Sequence, residues 1–431
     1  MCGLLVGPRV ANIDQSKYCV VNVELPGPFG VSLNCDSSEF MRLAINPSGL
    51  LDINNIRTSR PTMILAAAGI AAIIAPMVPK PTYMASVDGG NVDNPNRTAS
   101  SLETMGAAYV AYVLLNFGVL CGAFLLMRDL MMGVSANIQS EQLSAPRTTM
   151  TIAGFGLLMI SNDAVKAFAW SPHLQLLNIL VPVLCIWTLW MSWNGRLVER
   201  WQAFLFALGI GLGVAAYPTF LMCLFCMLGP WFVRQWQEGA FNGRRTLLVL
   251  RTTALTGTAL LPFITWYLFV KITVGTFYIH ETTKFNQVLW IADAWRDGPF
   301  VLLSAWFGNA LYLVMMAIPQ LIFTSAAVVW TFIMLARDKN EILSMLRTCR
   351  LVITFCVVAA VLYIAFFATV GYMAPRLAVG IVPTFVVAAG IFAVVATRSM
   401  SMRNSKTLEM GYVGIGALAA VVTVVKDGPW S

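Results

Sequence analysis

The chain has 431 residues, of which 58% are hydrophobic and only 11% charged, and its formal net charge is +8. Soluble domains carry about 25% charged residues, so this composition excludes a water-covered globular surface and points to lipid as the solvent. The basic residues fall in short clusters between apolar runs, the positive-inside pattern of membrane proteins, and call for no nucleic-acid partner.

The first 25 residues carry Arg9, Asp14, Lys17 and Glu24 and no sustained apolar run, so no secretory signal is expected. Residues 1–60 read as a polar N-terminal region with an interfacial helix, expected as an external loop, and residues 61–431 as one transmembrane helical domain, with no repeat or low-complexity linker between them. A crossing helix needs about 20 apolar residues. The clear candidates are 61–79, 106–127, 174–193, 247–270, 350–371, 378–397 and 411–425. The run 202–233 is too long for one span and breaks at Tyr217-Pro218, which predicts two short helices. The run 299–336 contains Pro319; its second half reads as a span and its first half as a helix lying at the interface. The run 148–161 has only 14 residues and is predicted to be re-entrant. The fold class expected is an all-α polytopic membrane bundle of about 10–11 helices.

Lys and Arg set the orientation. Loops 234–251, 337–350 and 398–409 are the basic ones and are expected in the cytoplasm; 162–173, 271–298 and 371–377 then face outside. A re-entrant 148–161 puts residues 1–60 outside as well, whereas a full crossing there puts them inside. Cys223 and Cys226 form a C-x-x-C, but inside an apolar run; with Cys121, Cys185, Cys349 and Cys356 they read as packing residues. Cys19 and Cys35 lie in the polar region and could pair only in an oxidising compartment.

Lipid-facing helices have no use for polar side chains, so polar stretches at helix mouths are where chemistry is sought. The first runs from Asn34 to Ala44, where Asp36, Ser37 and Glu39 can open a short helix showing Phe40, Leu43 and Ala44 on one side. Arg57, Arg60 and Pro61 follow; arginines there also serve as snorkelling anchors. The second is Asn162-Asp163, continuing through His173 and Gln175. The third is His280-Glu281, with Lys284 and the interfacial Trp290 and Trp295. The fourth is Tyr372 to Arg376, whose arginine suits bidentate binding of a phosphate or plain anchoring. His173 and His280 are the only histidines and fall on one side in this topology. No cluster with metal-ligand spacing is apparent.

In order and rough spacing these stretches resemble the GT-C superfamily of polytopic glycosyltransferases. Asp36, Glu39, Phe40 and Ala44 match that family's D-x-x-x-Y/F-x-x-hA pattern in the first external loop. Arg60-Pro61 matches the lead-in to its next helix. Pro375-Arg376 to Pro383 is similar to its R-Y-x-x-P-x-x-P segment, with Leu377 in place of Tyr. The family places an apolar helix ahead of this Asp, and residues 1–30 are not apolar enough to be expected to form one. The resemblance implies transfer of a sugar from a polyprenyl-phosphate-linked donor to a glycan or lipid acceptor, at the external face of a bacterial inner (plasma) membrane. With no metal-ligand cluster apparent, no metal or other cofactor is expected. It implies Asp36 as general base, assisted by Glu281 or Asp163, and binding of the substrates by Arg60, His173, His280 and Arg376. The competing readings are a transporter or lipid flippase, a polysaccharide polymerase or ligase, and a structural envelope subunit. A transporter places ionisable residues at mid-membrane depth in broken helices; here the acidic residues gather at helix ends.

Overall fold

The computed structural model describes residues 7–8, 22–24, 29–32, 35–78, 99–137, 148–198, 201–237, 245–277, 282, 284–335, 339–400 and 402–426. Three short strands, β1 (Gly7–Pro8), β2 (Asn22–Glu24) and β3 (Phe29–Ser32), pair antiparallel in the order β1-β3-β2. The regular elements described after them are all helices. The helices are α1 (Cys35–Ile45), α2 (Pro61–Ile74), α3 (Ala99–Asn137), α4 (Thr149–Ile160), α5 (Asp163–Phe168), α6 (Leu177–Trp193), α7 (Gln202–Val214) and α8 (Leu221–Gln237). They continue with α9 (Arg245–Val274), α10 (Trp290–Asp297), α11 (Pro299–Ala317), α12 (Ile322–Leu335), α13 (Lys339–Val370), α14 (Pro375–Ala378), α15 (Val382–Ser399) and α16 (Met402–Lys426). Among the described residues six segments are long and apolar enough to cross a membrane, so this is an integral multi-pass membrane protein.

Contacts fix the direction of each helix. Arg234, Arg251, Arg347, Arg350, Arg398 and Arg403 sit at one end of the bundle, the basic end. Asn116, early in α3, donates to carbonyls in the turn before α6, whereas Ser135, late in α3, accepts from Arg398. Thus α3 and α6 both run toward the basic end. α4 returns: Thr151 meets Thr397 at 3.3 Å near the basic end, and Lys166 in α5 donates to Thr423 and Val424 near the far end of α16. Followed in this way, α3, α4, α6, α7, α8, α9, the α11–α12 pair, α13, α15 and α16 give ten crossings among the described residues.

Three sequence expectations change. Residues 148–161 are not re-entrant. At about 18 Å, α4 is shorter than the ~30 Å hydrocarbon core, but it is buried inside the bundle, packed chiefly on α16, and so need not match the lipid. Second, 61–79 gives a helix shorter than the span expected: α2 and one 3-10 turn cover Pro61–Met77, below the length of the six spans. α2 starts beside α7, where the Thr62 N–H reaches the Ala215 carbonyl, and α3 starts from that same end. Third, the first half of 299–336 does not stand apart at the interface. α11 is joined to α12 by a single 3-10 turn holding Pro319, and the two form one kinked apolar helix over Pro299–Leu335. It runs from Asn309, bonded to Ala368, down to Thr331, bonded to Tyr412. The surface element of that region is the amphipathic α10, whose side chains are exposed or half-buried.

The break at Tyr217-Pro218 is where it was expected. Tyr217 is extended and Pro218 opens a 3-10 turn, because proline offers no N–H to continue α7. α15 is apolar all round and buried along its length, the hub of the bundle. α1 turns one face into the bundle. Its Phe40, Met41, Leu43 and Ala44 are buried against α2 and α3 and join the common core.

Candidate functional site

The end of the bundle opposite the basic clusters holds a cavity of about 540 Å³. Its floor begins with Asp36 in the first turn of α1. The loop after α1 is pinned from inside: Asn55 Nδ2 donates to the Gly49 carbonyl at 2.8 Å, Asn55 Oδ1 accepts the Arg57 N–H at 2.8 Å, and Thr58 Oγ1 donates to the Leu50 carbonyl at 2.9 Å. This turns Arg57 inward. Its guanidinium lies 4.8 Å above the Phe40 ring, donates to Asp36 Oδ1 at 2.7 Å, and stands 3.6 Å from Glu39 Oε2.

The facing wall is set by α5 and the turn behind it. Asn162 Oδ1 caps α5 by accepting the Val165 N–H, the role its residue type favours. Asn116, buried in α3, then donates to the carbonyls of Phe168 at 2.9 Å and Ser171 at 2.8 Å. The turn so held presents His173, whose Nε2 lies 3.3 Å from Asp36 Oδ2. Asn116→Leu keeps the volume but strands buried carbonyls, so it is expected to cost about 1–3 kcal/mol; the thermal unfolding midpoint in detergent checks this.

Arg376 enters from the single-turn α14. Its guanidinium donates to Tyr372 Oη at 3.4 Å, and its backbone carbonyl accepts from Gln175 Nε2 at 3.0 Å. Arg60 stacks over Tyr217 at 5.1 Å. Lys284 lies over Phe285, which packs on Tyr372 at 5.1 Å, so the 284–288 segment lines the mouth. Val288 there adopts φ 64°, a strained conformation for a β-branched residue, and donates its N–H to the Val370 carbonyl. Much of the remaining wall is apolar, from Val214, Leu221, Leu260, Phe263 and Phe366, with Ser59 and Thr219 among them.

The electrostatics follow from these contacts. The His173 hydrogen bond holds the Asp36 carboxyl well below the usual carboxylate range; partial burial opposes this, and Arg57 and Arg376 add to it. Burial pushes His173 down to about 4, against the upward pull of Asp36. At neutral pH the site therefore holds a carboxylate beside a neutral imidazole, ringed by cations.

Of the residues singled out in the sequence, Asp36, Arg60, His173 and Arg376 line this one cavity. Asp163 does not: it is exposed in the first turn of α5, and its neighbour Asn162 serves as the helix cap. His280 and Glu281 lie outside the described residues, while Thr282 and Lys284 just beyond them line the cavity. Sequence reasoning gave Arg57 no role beyond anchoring, yet it is the cation bonded to Asp36. The pairing spans 21 positions, and nothing local ranks Arg57 above Arg60. Among the described residues no group of three or more His, Cys, Asp or Glu is arranged to hold a metal ion. Comparison of the chain with known protein families, with curated proteins and with solved structures finds no match.

Proposed function

We propose that the chain is a membrane glycosyltransferase that moves a sugar from a polyprenyl-phosphate carrier to the hydroxyl of a glycan or lipid acceptor. The observation that carries this reading is the pairing, in one cavity, of an anchored carboxylate with separate cations and a long apolar wall. A lipid-linked sugar phosphate needs all three. Its prenyl chain calls for apolar surface, its phosphate for Arg376, Arg60 or Lys284, and the attacking hydroxyl for a base. By the positive-inside bias, the cavity end faces away from the cytoplasm.

In the proposed reaction the acceptor oxygen attacks the anomeric carbon while the bond from that carbon to the phosphate oxygen breaks. The hydroxyl proton goes to Asp36, and the electron pair leaves with the polyprenyl phosphate, whose growing charge the arginines stabilise. A single displacement inverts the anomeric centre. A carboxylate held so low is a weak base in the resting site. That suits a displacement with late proton loss. As the new bond forms, the attacking oxygen becomes oxonium-like and strongly acidic, so a weak base suffices. What matters is that Asp36 stays ionised and in place.

Binding of a polyprenyl monophosphate to the purified protein tests the phosphate side. Arg376→Ala is expected to weaken it by about 10–100-fold, the worth of a hydrogen bond to a charged group. Arg403→Ala, at the basic end, leaves it unchanged. Equal affinity in wild type and Arg376→Ala removes Arg376 from the phosphate site.

A further inference from the structure

Gln175 makes two hydrogen bonds that together decide what His173 is able to do. Its backbone N–H donates to His173 Nδ1 at 3.0 Å, so Nδ1 presents a lone pair and the ring proton sits on Nε2. Nε2 is the atom that faces Asp36 Oδ2, at 3.3 Å. The Gln175 side chain meanwhile donates to the Arg376 carbonyl at 3.0 Å. One residue thus sets the tautomer of the imidazole and tethers the turn that carries Arg376.

From this geometry, and resting on the transferase reading above, we propose that His173 is a positioning residue. It is a neutral N–H donor that holds Asp36 as an oriented anion, neither relaying a proton nor binding phosphate. The His173–Gln175 pair also keeps the base and the Arg376 turn in register.

The surroundings agree. The imidazole is buried between the rings of Phe40 and Phe168, at centroid distances of 5.6 and 4.7 Å. The charged groups that face it are Asp36 from α1, Arg57 from the following loop and Arg376 from α14. Burial and the two arginines disfavour a charged ring, outweighing Asp36, and hold it neutral down to about pH 4. Protonation would also put a hydrogen on Nδ1, opposite the Gln175 N–H, so that two donors would face each other. A proton relay would have to pass through that atom, and it is blocked by the backbone.

The chain has two histidines, so the state of His173 is directly readable. Protein labelled with ¹⁵N in its histidine rings is compared by NMR with the His280→Gln variant, which leaves His173 alone in the spectrum. The expected result is a neutral Nε2–H tautomer through pH 5–8 that titrates near pH 4. A charged ring at pH 7, or a proton on Nδ1, overturns the proposal. Activity supplies the second readout. His173→Gln can still donate a hydrogen bond toward Asp36 and is expected to keep kcat within about tenfold, with the acid limb near pH 4 gone. His173→Phe keeps a buried ring but no donor, and is expected to lose about a hundredfold in kcat with donor KM within about twofold. In that variant too the limb near pH 4 is gone, and the separate limb set by Asp36 moves up toward the ordinary carboxylate range, because Asp36 has lost the hydrogen bond that lowers its pKa. If His173→Phe instead raises KM or loses polyprenyl monophosphate at unchanged kcat, His173 is a ligand and the proposal fails. A neutral Nε2–H ring in a protein that consumes no sugar donor sinks the transferase reading and leaves the hydrogen-bond arrangement standing.

Discussion

Asp36→Asn is expected to lower the rate of sugar transfer by about 10²–10⁴-fold, the usual worth of a general base, while binding of the polyprenyl phosphate stays within a few fold. Asn is nearly isosteric. Its carbonyl oxygen still accepts from Arg57, which also keeps Glu39 at 3.6 Å, so the loop behind α1 retains its anchor. What is lost is the anion that takes the acceptor's proton, together with the oxygen that accepts the His173 Nε2–H. The split is the informative part. An effect confined to turnover marks a group that acts in the transition state, whereas an equal effect on carrier binding marks a structural defect. The thermal midpoint of Asp36→Asn, expected within a few degrees of wild type, separates these cases.

The second large effect falls on the fold. α4 and α16 approach closely at Gly154, where an added Cβ would stand 2.8 Å from the Tyr412 carbonyl carbon and 2.9 Å from its oxygen. These are backbone atoms and cannot rotate away. Small residues at such contacts are what allow membrane helices to pack backbone to backbone. Gly154→Val is therefore expected to cost about 3 kcal/mol or more, at or above the upper end for overpacking. It should lower the unfolding midpoint in detergent by several degrees. Gly118→Ala in α3 is the control. Its Cβ meets nothing within 4 Å, so the change is expected to be neutral or stabilising by up to about 1 kcal/mol from helix propensity. A Gly154→Val protein as stable as wild type would mean that the α4–α16 contact is looser than described.

The sequence carried the class of fold because composition alone rules out water as the solvent for this chain. It carried the break at Tyr217-Pro218 because proline acts locally. Three features were not legible, each for a physical reason. The length rule for spans presumes a lipid-facing helix, and α4 escapes it by being wrapped in protein. The run at 61–79 satisfies the same rule by composition, yet its helix tightens into a 3-10 turn at Ala75–Met77, around Pro76. The ion pair of Arg57 with Asp36 joins positions far apart in sequence, and only the fold brings them together. The reverse holds for Asp36, Arg60, His173 and Arg376. Each is polar at a helix mouth, where a membrane protein has reason to place a charge only at an interface or a site, and the fold gathers all four around one cavity. Asp163 met the same criterion and lies elsewhere, since a polar pair at a helix start also serves capping.

The central claim is that this cavity transfers sugar from a polyprenyl-phosphate carrier, and the most direct test needs no knowledge of the acceptor. Purified protein in lipid nanodiscs is incubated with a panel of polyprenyl-phosphate hexoses and pentoses, and release of free polyprenyl phosphate is followed by mass spectrometry, water serving as a slow acceptor. The account predicts that wild-type protein releases the carrier from at least one donor and that Asp36→Asn does not. Release from none of them, or equal release by Asp36→Asn, would contradict it.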